Sequence, residues 1–172
     1  MKLDEEFIFL VPSLEQPRIV KRIIEKSKAI KDVKVYGFKR PLYQVNNFDK
    51  VKEYPNIEVK IINNLNNEKY FGRIFSYMKL ILKLYFDFGL KRKNIYAFGL
   101  DLRIISCLII NSEIYYEISD IMWLYKFGLT RKLLMYVDAC LSKRSIQVIF
   151  TSERFYTRYY NFLNSNKILV LE

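Results

Sequence analysis

The sequence contains no histidine in 172 residues. Ser-His-Asp catalysis, Cys-His catalysis and the common zinc sites all need an imidazole, so these classes of site are excluded. Cysteine is also scarce: Cys107 and Cys140 lie in predicted helices and form no Cys-x-x-Cys pair. This arrangement favours reduced, buried thiols in a cytosolic protein over a disulfide framework.

Glycine occurs only five times, and neither a Gly-x-Gly-x-x-Gly motif nor a P-loop motif is present. A dinucleotide site needs such glycines because the backbone must approach the pyrophosphate closely. The loop after the first predicted strand, residues 12–16, contains none. The sequence therefore argues against an NAD- or FAD-binding protein and against a P-loop NTPase.

Long apolar stretches are missing as well. No uncharged stretch approaches the roughly 20 residues of a membrane-spanning helix. The N-terminus, residues 1–6, is acidic where a secretion signal would be basic. We therefore expect a cytoplasmic protein that is either soluble or bound peripherally at the inner face of the membrane.

The net charge of +11 has two open explanations. Lysine, isoleucine and asparagine are plentiful and alanine is rare, as expected from an AT-rich genome. The alternative is a functional basic face, because net charge bears on association and not on fold. Nucleic acid is not expected as a partner, since no Arg/Gly-rich segment, recognition-helix pattern or stacking motif is present.

Short apolar runs alternate with helical patterns along the chain, which is long enough for one domain and too short for two of Rossmann type. The predicted strands are 7–11, 33–38, 57–62, 95–98, 113–118, 147–151 and 167–171. The predicted helices are 17–30, 68–90, 101–110, 130–143 and 153–163. This alternation predicts an α/β fold with a Rossmann-like, doubly wound, mostly parallel sheet of about seven strands. The first strand should be central, with the switch point between it and the strand at 95–98.

Candidate ligand-binding positions follow from that switch point, because open α/β sheets bind ligands beyond the carboxyl ends of their strands. The rule selects four loops, at residues 12–16, 99–101, 118–120 and 152–153. Gly99 and Asp101 could line a cleft, or form a tight turn in which Asp101 caps the next helix. Ser152 could likewise be an N-cap, with Glu153 in the first turn.

Two carboxylates lie near the end of the fifth predicted strand. Glu117 falls within a strand that should be central, where a carboxylate is costly to bury unless it is paired. An ion pair with Arg18, Arg40 or Arg103 is the structural interpretation of Glu117, and ligand contact is the alternative. Asp120 follows the strand and could act as a base or bind a hydroxyl.

The predicted helix from Glu68 to Leu90 is apolar around most of its circumference. One stripe, expected in the core, holds Phe71, Phe75, Met78, Leu82 and Tyr85. A second stripe beside it holds Tyr70, Ile74, Tyr77, Ile81, Leu84 and Phe88. The narrow strip that remains contains the basic residues Lys69, Arg73, Lys79 and Lys83. The second stripe and this basic strip could face an anionic membrane surface.

Five motifs follow one another along nearly the whole chain. They are Pro17-Arg18 with Lys21-Arg22, VYGFKR at 35–40, IYAFGLD at 95–101, YEISDI at 116–121 and TSERF at 151–155. As an ordered set they resemble the N-terminal domain of bacterial family 4 glycosyltransferases, most closely those of capsule and surface-polysaccharide assembly.

The resemblance implies a GT-B fold, in which two Rossmann-like domains face each other across a cleft. Residues 1–172 would be the acceptor-side N-terminal domain, with the donor-binding C-terminal domain and its Glu-x7-Glu motif absent. Family members continue past a strand like residues 167–171, so we interpret the end of this chain as a cut at a domain boundary. No metal would be required, and no cofactor would bind to this chain. The nucleotide-sugar donor would bind only with the C-terminal domain.

The resemblance also implies site residues. The loop from Ser13 to Arg18 would lie beside the acceptor and the donor phosphates. Many family members have a histidine where this chain has Ser119, followed here by Asp120, so Ser119 and Asp120 are the candidate catalytic residues. The predicted cleft residues are Ser13, Arg18, Gly99, Asp101, Glu117, Ser152 and Glu153.

Two functions are compatible with these features. The first is the acceptor-side half of a glycosyltransferase that acts on a glycan or lipid-linked sugar in surface-polysaccharide synthesis and is inactive alone. Its partner would be a C-terminal-half subunit. The second is a non-catalytic basic module that docks on an anionic membrane or on a partner subunit.

Overall fold

The computed structural model describes residues 6–40, 49–65, 70–89, 91–109 and 112–171. The strands in these ranges are β1 Phe7–Val11, β2 Val33–Lys39, β3 Ile57–Asn64, β4 Asn94–Phe98, β5 Glu113–Ile118, β6 Gln147–Phe150 and β7 Ile168–Val170. The α-helices are α1 Pro17–Ser27, α2 Asp49–Lys52, α3 Tyr70–Phe88, α4 Leu100–Ser106, α5 Gly128–Arg144 and α6 Glu153–Tyr159. Short 3-10 helices span Met122–Tyr125 and Ser165–Lys167.

The seven strands form one parallel sheet in the order β3-β2-β1-β4-β5-β6-β7. Strand β1 pairs with β2 on one side and with β4 on the other, so that Phe9 lies opposite both Val35 and Tyr96. The strand order therefore reverses its direction between β1 and β4, which is the switch point of a doubly wound sheet. The predicted α/β class, the parallel sheet and the switch point are confirmed.

Apolar layers cover both faces of the sheet. In β1 every residue is buried, and alternate side chains point to opposite faces. Phe9 packs in a cluster with Ile19 and Ile23 of α1. Leu10 packs on the other face with Leu84 of α3 and neighbouring residues of α4. Helices α5 and α6 extend this second layer over β5 and β6.

Helix α1 ends at Ser27, earlier than the predicted end at residue 30. The side chain of Asn56 donates hydrogen bonds to the carbonyl oxygens of Ser27 and Ile30, at 2.9 and 2.8 Å. The Ser27 hydroxyl donates to the carbonyl of Ile24. Because these side chains satisfy the terminal carbonyl groups, the chain can leave the helix without orphaned acceptors.

Helix α4 is shorter than predicted, and its end exposes a cysteine. It spans Leu100–Ser106, and Cys107 is the C-cap. Cys107 is exposed, while Cys140 in α5 is half-buried, and both are free. The expectation of buried thiols is therefore wrong for Cys107, because its helix ends one residue before it.

Helix α3 buries a different stripe from the one expected in the core. Phe75, Leu82 and Tyr85 are 61%, 54% and 62% exposed, whereas Leu84 and Phe88 are only 2% and 5% exposed. The row against the sheet consists of Ser76, Leu80, Leu84 and Phe88, at a spacing of four residues. Asn63 of β3 donates to the Ser76 hydroxyl at 3.1 Å. The small Ser76 side chain thus lies against the sheet, and the described members of the first stripe, Phe75, Met78, Leu82 and Tyr85, face outward.

Candidate functional site

A cavity of about 420 Å³ opens at the carboxyl edge of the sheet, at the switch point between β1 and β4. Loops after β1, β4 and β5 form its walls, together with α3. Five of the predicted site residues line it, namely Arg18, Gly99, Asp101, Ser119 and Asp120. This is the position at which open α/β sheets bind ligands.

Gly99 shapes the floor of this cavity. Its φ is +82°, a conformation that side chains rarely adopt, and it is the N-cap of α4. Its backbone N–H donates to the carbonyl of Glu117 at 2.9 Å. A Cβ at this position would meet no atom within 4 Å. The backbone conformation, and not lack of space, therefore requires glycine.

Asp101 joins two walls of the cavity. It lies in the first turn of α4 and is not the cap residue, since Gly99 occupies that position. Its Oδ2 accepts a hydrogen bond from the hydroxyl of Tyr77 on α3, at 2.9 Å. Burial raises the pKa of Tyr77, and the Asp101 carboxylate raises it further. The Tyr77 hydroxyl therefore stays protonated and holds α3 against the start of α4.

Hydrogen bonds hold the loop after β1 in a conformation in which Ser13 is buried and does not line the cavity. Ser13 is fully buried, and its Oγ accepts a hydrogen bond from the backbone N–H of Glu15 at 3.4 Å. The Glu15 carboxylate accepts from the backbone N–H of Arg40 at 2.7 Å, and Arg40 Nε donates to the carbonyl of Pro12 at 3.2 Å. Ser13 therefore supports the loop, while Arg40, which lines the cavity, adds positive charge beside Arg18.

Asp120 and Ser119 lie just past the end of β5. Asp120 is exposed and Ser119 is half-buried. The Asp120 carboxylate raises the pKa of the Tyr125 hydroxyl, first by its charge and then by a hydrogen bond. The 3-10 helix Met122–Tyr125 thus folds back beside Asp120, and Lys126 follows it at the cavity wall.

A buried network around Asp138 holds that 3-10 helix in place. Asp138 of α5 is 2% exposed. Its carboxylate accepts hydrogen bonds from Trp123 Nε1 and the Tyr116 hydroxyl, both at 2.9 Å, and from the Tyr160 hydroxyl. Burial raises the pKa of Asp138, and these donors, with Ser142, offset part of the rise. Sequence analysis missed this network. The available signal was that Asp138 is the only acid in α5 and lies on the same side of the helix as Leu141, three residues later.

Glu117 is buried on the sheet face that α1 covers. It is 0% exposed and is not among the cavity-lining residues. Its partners are the Tyr96 hydroxyl, which donates at 2.6 Å, and Arg22, whose Nε lies 3.5 Å from Oε2. Burial raises the pKa of Glu117, and Tyr96, Arg22 and Arg18 offset part of the rise.

The predicted partners of Glu117 are wrong. The ion pair forms with Arg22 and not with Arg18, Arg40 or Arg103, because Arg22 is on the inward side of α1 and reaches over β4. Arg103 is 2% exposed and instead donates to Ser145 Oγ at 3.1 Å and to the carbonyl of Leu141 at 3.0 Å. It thus caps the end of α5.

Ser152 and Glu153 lie farther along the same edge. Ser152 is the N-cap of α6, but its side chain makes no capping hydrogen bond, and Glu153 is exposed in the first turn. Neither residue lines the cavity. They follow β6, which is separated from β4 by β5, so the sheet order places them away from the switch point.

The basic strip of α3 is exposed in part. Lys79 and Lys83 are exposed and Arg73 is half-buried. Lys83 Nζ lies 3.2 Å from Asp87 Oδ1. Lys69 lies outside the described residues. Lys79 and Lys83 lie on the side of α3 between the outward Phe75 and the buried Ser76.

The cavity combines charges of both signs with aromatic rings. Arg18, Arg40 and Lys126 offer donors, Asp101 and Asp120 offer acceptors, and Tyr77, Tyr125 and Phe98 offer ring surfaces. Hydroxyl groups can donate to carboxylates and accept from cationic groups, so this lining suits a hydroxyl-rich ligand. Within the described residues, no three His, Cys, Asp or Glu side chains are arranged to hold a metal ion.

Comparison with solved structures finds a similar fold in HepE from Anabaena, a structure in complex with UDP and glucose. The two share 18% sequence identity with a TM-score of 0.59. The similarity covers 97% of this chain and 44% of the HepE chain. At this identity the likeness establishes a common fold, and the chain spans less than half the length of that protein. No protein-family model and no curated protein matches the sequence.

Proposed function

We propose that this chain is the acceptor-side half of a glycosyltransferase of family 4 type that acts in surface-polysaccharide synthesis. Its acceptor would be a glycan or a lipid-linked sugar bound in the cavity at the switch point. The observation that carries the proposal is the composition of that cavity, which is lined by the acids Asp101 and Asp120 and by the basic residues Arg18 and Arg40.

Asp120 is the residue best placed to contact an acceptor hydroxyl. It is exposed at the carboxyl edge, and the Asp138 network fixes the turn that follows it. A carboxylate in that position can accept the proton of a hydroxyl that attacks the anomeric carbon of a nucleotide sugar, as the bond from that carbon to the departing nucleoside diphosphate breaks. Ser119, beside it, can donate to or accept from another hydroxyl of the same sugar. Gly99 and Asp101 would form the floor against which the acceptor lies.

The fold shared with HepE supports a sugar-related role, because HepE binds UDP and glucose. The covered fraction supports separate acceptor and donor halves, since 97% of this chain corresponds to 44% of HepE. Transfer without a metal needs cationic groups or helix N-termini around the donor phosphates, together with an aligned acceptor. We propose that a C-terminal half, on this chain or on a partner subunit, supplies the donor site.

Saturation-transfer NMR with free sugars tests the cavity. We expect residues 1–172 to transfer saturation to at least one of glucose, galactose, N-acetylglucosamine and maltose. Asp120→Ala should abolish the transfer, because it removes a carboxylate that contacts the sugar, and it should leave the melting temperature nearly unchanged. The matched control is Asp32→Ala, since Asp32 is exposed in the turn before β2 at the opposite edge.

Two results would contradict the proposal. If no sugar receives saturation, or if Asp120→Ala and Asp32→Ala behave alike, the cavity is not an acceptor site. Calorimetry with UDP-glucose and GDP-mannose tests whether the donor site lies outside residues 1–172, and we expect no tight binding to these residues alone. Binding of either donor at submicromolar concentration, or sugar transfer by residues 1–172, would refute the half-enzyme assignment.

A further inference from the structure

The outer surface of α3, α4 and α5 is apolar over much of its breadth. These helices lie on one face of the sheet, and we name their outward surface the α3–α5 face. Its large apolar side chains, 41–81% exposed, are Ile74, Phe75, Met78, Leu82, Tyr85, Phe86, Ile104, Leu108, Leu129, Leu133, Met135 and Tyr136. Such a concentration of exposed apolar groups marks an interaction surface.

In helix α3 the exposed apolar side chains form a regular row along one side of the helix. Its exposed row Ile74, Met78, Leu82 and Phe86 has the same four-residue spacing as the buried row Ser76, Leu80, Leu84 and Phe88. The two rows are offset by two residues, which is about 200° around a helix. The buried row faces the sheet, so packing within the domain accounts for only one of them. A groove lined by Leu82, Tyr85 and Leu108 joins the exposed row to the end of α4.

The charges on this face have one sign. Every exposed charged side chain among the described residues of α3, α4 and α5 is basic, namely Lys79, Lys83, Arg131, Lys132, Lys143 and Arg144. The three acids of these helices are bound inward. Asp87 accepts from the Tyr36 hydroxyl at 2.6 Å and from Lys60 at 3.0 Å, Asp101 accepts from the half-buried Tyr77, and Asp138 accepts from the buried network described above.

We infer that the α3–α5 face docks on a membrane surface that carries anionic lipids. Exposed rings and aliphatic side chains beside lysine and arginine fit the boundary between acyl chains and headgroups. A second copy of this chain fits poorly, because a two-fold contact would set the basic residues of this face against themselves. No helix in the described ranges could cross a membrane, so the contact is with the surface.

Docking in this way would bring the cavity to the lipid surface. Tyr77, which forms part of the cavity wall, belongs to α3, and Tyr125 and Phe127, which are 69% and 87% exposed, precede α5 at the same edge of the sheet. The inference that the protein docks on a membrane depends only on the α3–α5 face. The further idea that the acceptor is carried by the membrane depends on the proposed function.

Co-sedimentation with vesicles tests the inference. We expect binding to phosphatidylcholine vesicles containing phosphatidylglycerol to be at least tenfold tighter than to phosphatidylcholine alone. Each basic residue near an anionic surface contributes about fivefold in affinity, so Lys79→Glu with Lys132→Glu, two exposed lysines of this face, should weaken binding more than tenfold. Lys28→Glu with Lys31→Glu is the matched control, because these exposed lysines follow α1 on the other face and change the net charge equally.

A second pair of variants tests the apolar part of the face. Leu82→Ser with Phe86→Ser keeps every charge and should weaken binding about tenfold or more, with the difference persisting at high salt. The control is Ile61→Ser, an exposed apolar residue of β3 on the other face. All these side chains are exposed, so melting temperatures should change little.

The unmodified chain offers a test that needs no variant. Cys107 is exposed beside Leu108. Anionic vesicles should slow its alkylation several-fold, and neutral vesicles should not.

Equal binding to both kinds of vesicle, or binding to neither, would overturn the inference. So would dimerisation in sedimentation velocity without vesicle binding, since it would assign the face to a second copy. Vesicle binding without sugar binding would refute the proposed function and leave this inference intact.

Discussion

Replacing Asp138 with alanine should remove a large part of the stability of this domain. Three donors, Trp123 Nε1 and the hydroxyls of Tyr116 and Tyr160, point at one carboxylate that is 2% exposed. A buried donor left without an acceptor costs about 1–3 kcal/mol, so three cost about 3–9 kcal/mol. Burying the charge of Asp138 is itself unfavourable, as the raised pKa indicates, and Asp138→Ala removes this unfavourable contribution. We therefore expect a loss of about 3–5 kcal/mol, against a total of about 5–15 kcal/mol for a typical domain.

Urea unfolding followed by fluorescence measures this loss directly, because Trp123 is the only tryptophan in the chain and is 5% exposed. Far-UV circular dichroism should give the same transition if unfolding is two-state. Tyr116→Phe removes one donor and leaves two, so it should cost about 1–2 kcal/mol. The double variant with Asp138→Ala should cost less than the sum, because the two residues share one hydrogen bond.

A small effect would refute the reasoning. If Asp138→Ala lost less than about 1 kcal/mol, the three donors would have found water or other acceptors, and the network would not be structural. Asp32→Ala is the matched control. That aspartate is exposed, so its removal should change the free energy of unfolding by no more than about 0.5 kcal/mol.

Two further predictions concern stability. The folded-state pKa of Glu117 is raised, so its contribution to stability is fully present below the ordinary value of about 4.3 and is lost as pH rises through the folded-state pKa. Glu117→Gln cannot ionise, so urea unfolding should show its stability falling less than that of the wild type from about pH 4 upward, and parallel profiles would contradict this. Gly37→Ala places a Cβ 2.4 Å from Val11 Cγ2 and 2.7 Å from Leu14 Cγ, and should cost about 1–3 kcal/mol. An unchanged urea midpoint for Gly37→Ala would contradict this, because it would show that Val11 and Leu14 can move away from the added Cβ without cost.

The order of the seven strands and the five longer helices could be predicted because local signals specify them, whereas α2 and the two 3-10 helices, each of three or four residues, were missed. The run FIFLV is apolar at every position, and Pro12 ends it, so it indicates a strand buried on both faces. The bounds of β1 and β5 agree with the predictions, and the other strands differ by only one or two residues at an end. Alternation with helices then leaves few arrangements, because parallel crossovers are right-handed.

The inward side of α3 could not be predicted, because apolar residues occupy most of its circumference. Periodicity identifies a buried stripe only when the opposite side is polar. Here the choice depends on Ser76, which lies against β3 and accepts a hydrogen bond from Asn63. That contact joins two elements, so no pattern within the helix reveals it.

The site was predictable to the extent that topology places it. The rule for open α/β sheets selected the loops that carry Gly99, Asp101 and Asp120, and these line the cavity. The rule specifies loops and does not say which side chains within them face the ligand. Ser13 is buried because Glu15 bonds to Arg40, which lies 25 residues away in the sequence. Such long-range bonds decide exposure within a loop.

The Asp138 network connects the stability of the domain to the cavity. Trp123 belongs to the 3-10 helix whose last residue, Tyr125, lies beside Asp120. Without the Asp138 carboxylate, the Trp123 side chain loses its one described hydrogen bond, and only its ring contacts with Tyr159 and Arg131 remain among those described. A carboxylate contributes more to sugar binding when its position is fixed before the ligand arrives, because ordering it afterwards costs conformational entropy. We therefore propose that Asp138, which does not line the cavity, acts as a positioning residue for Asp120.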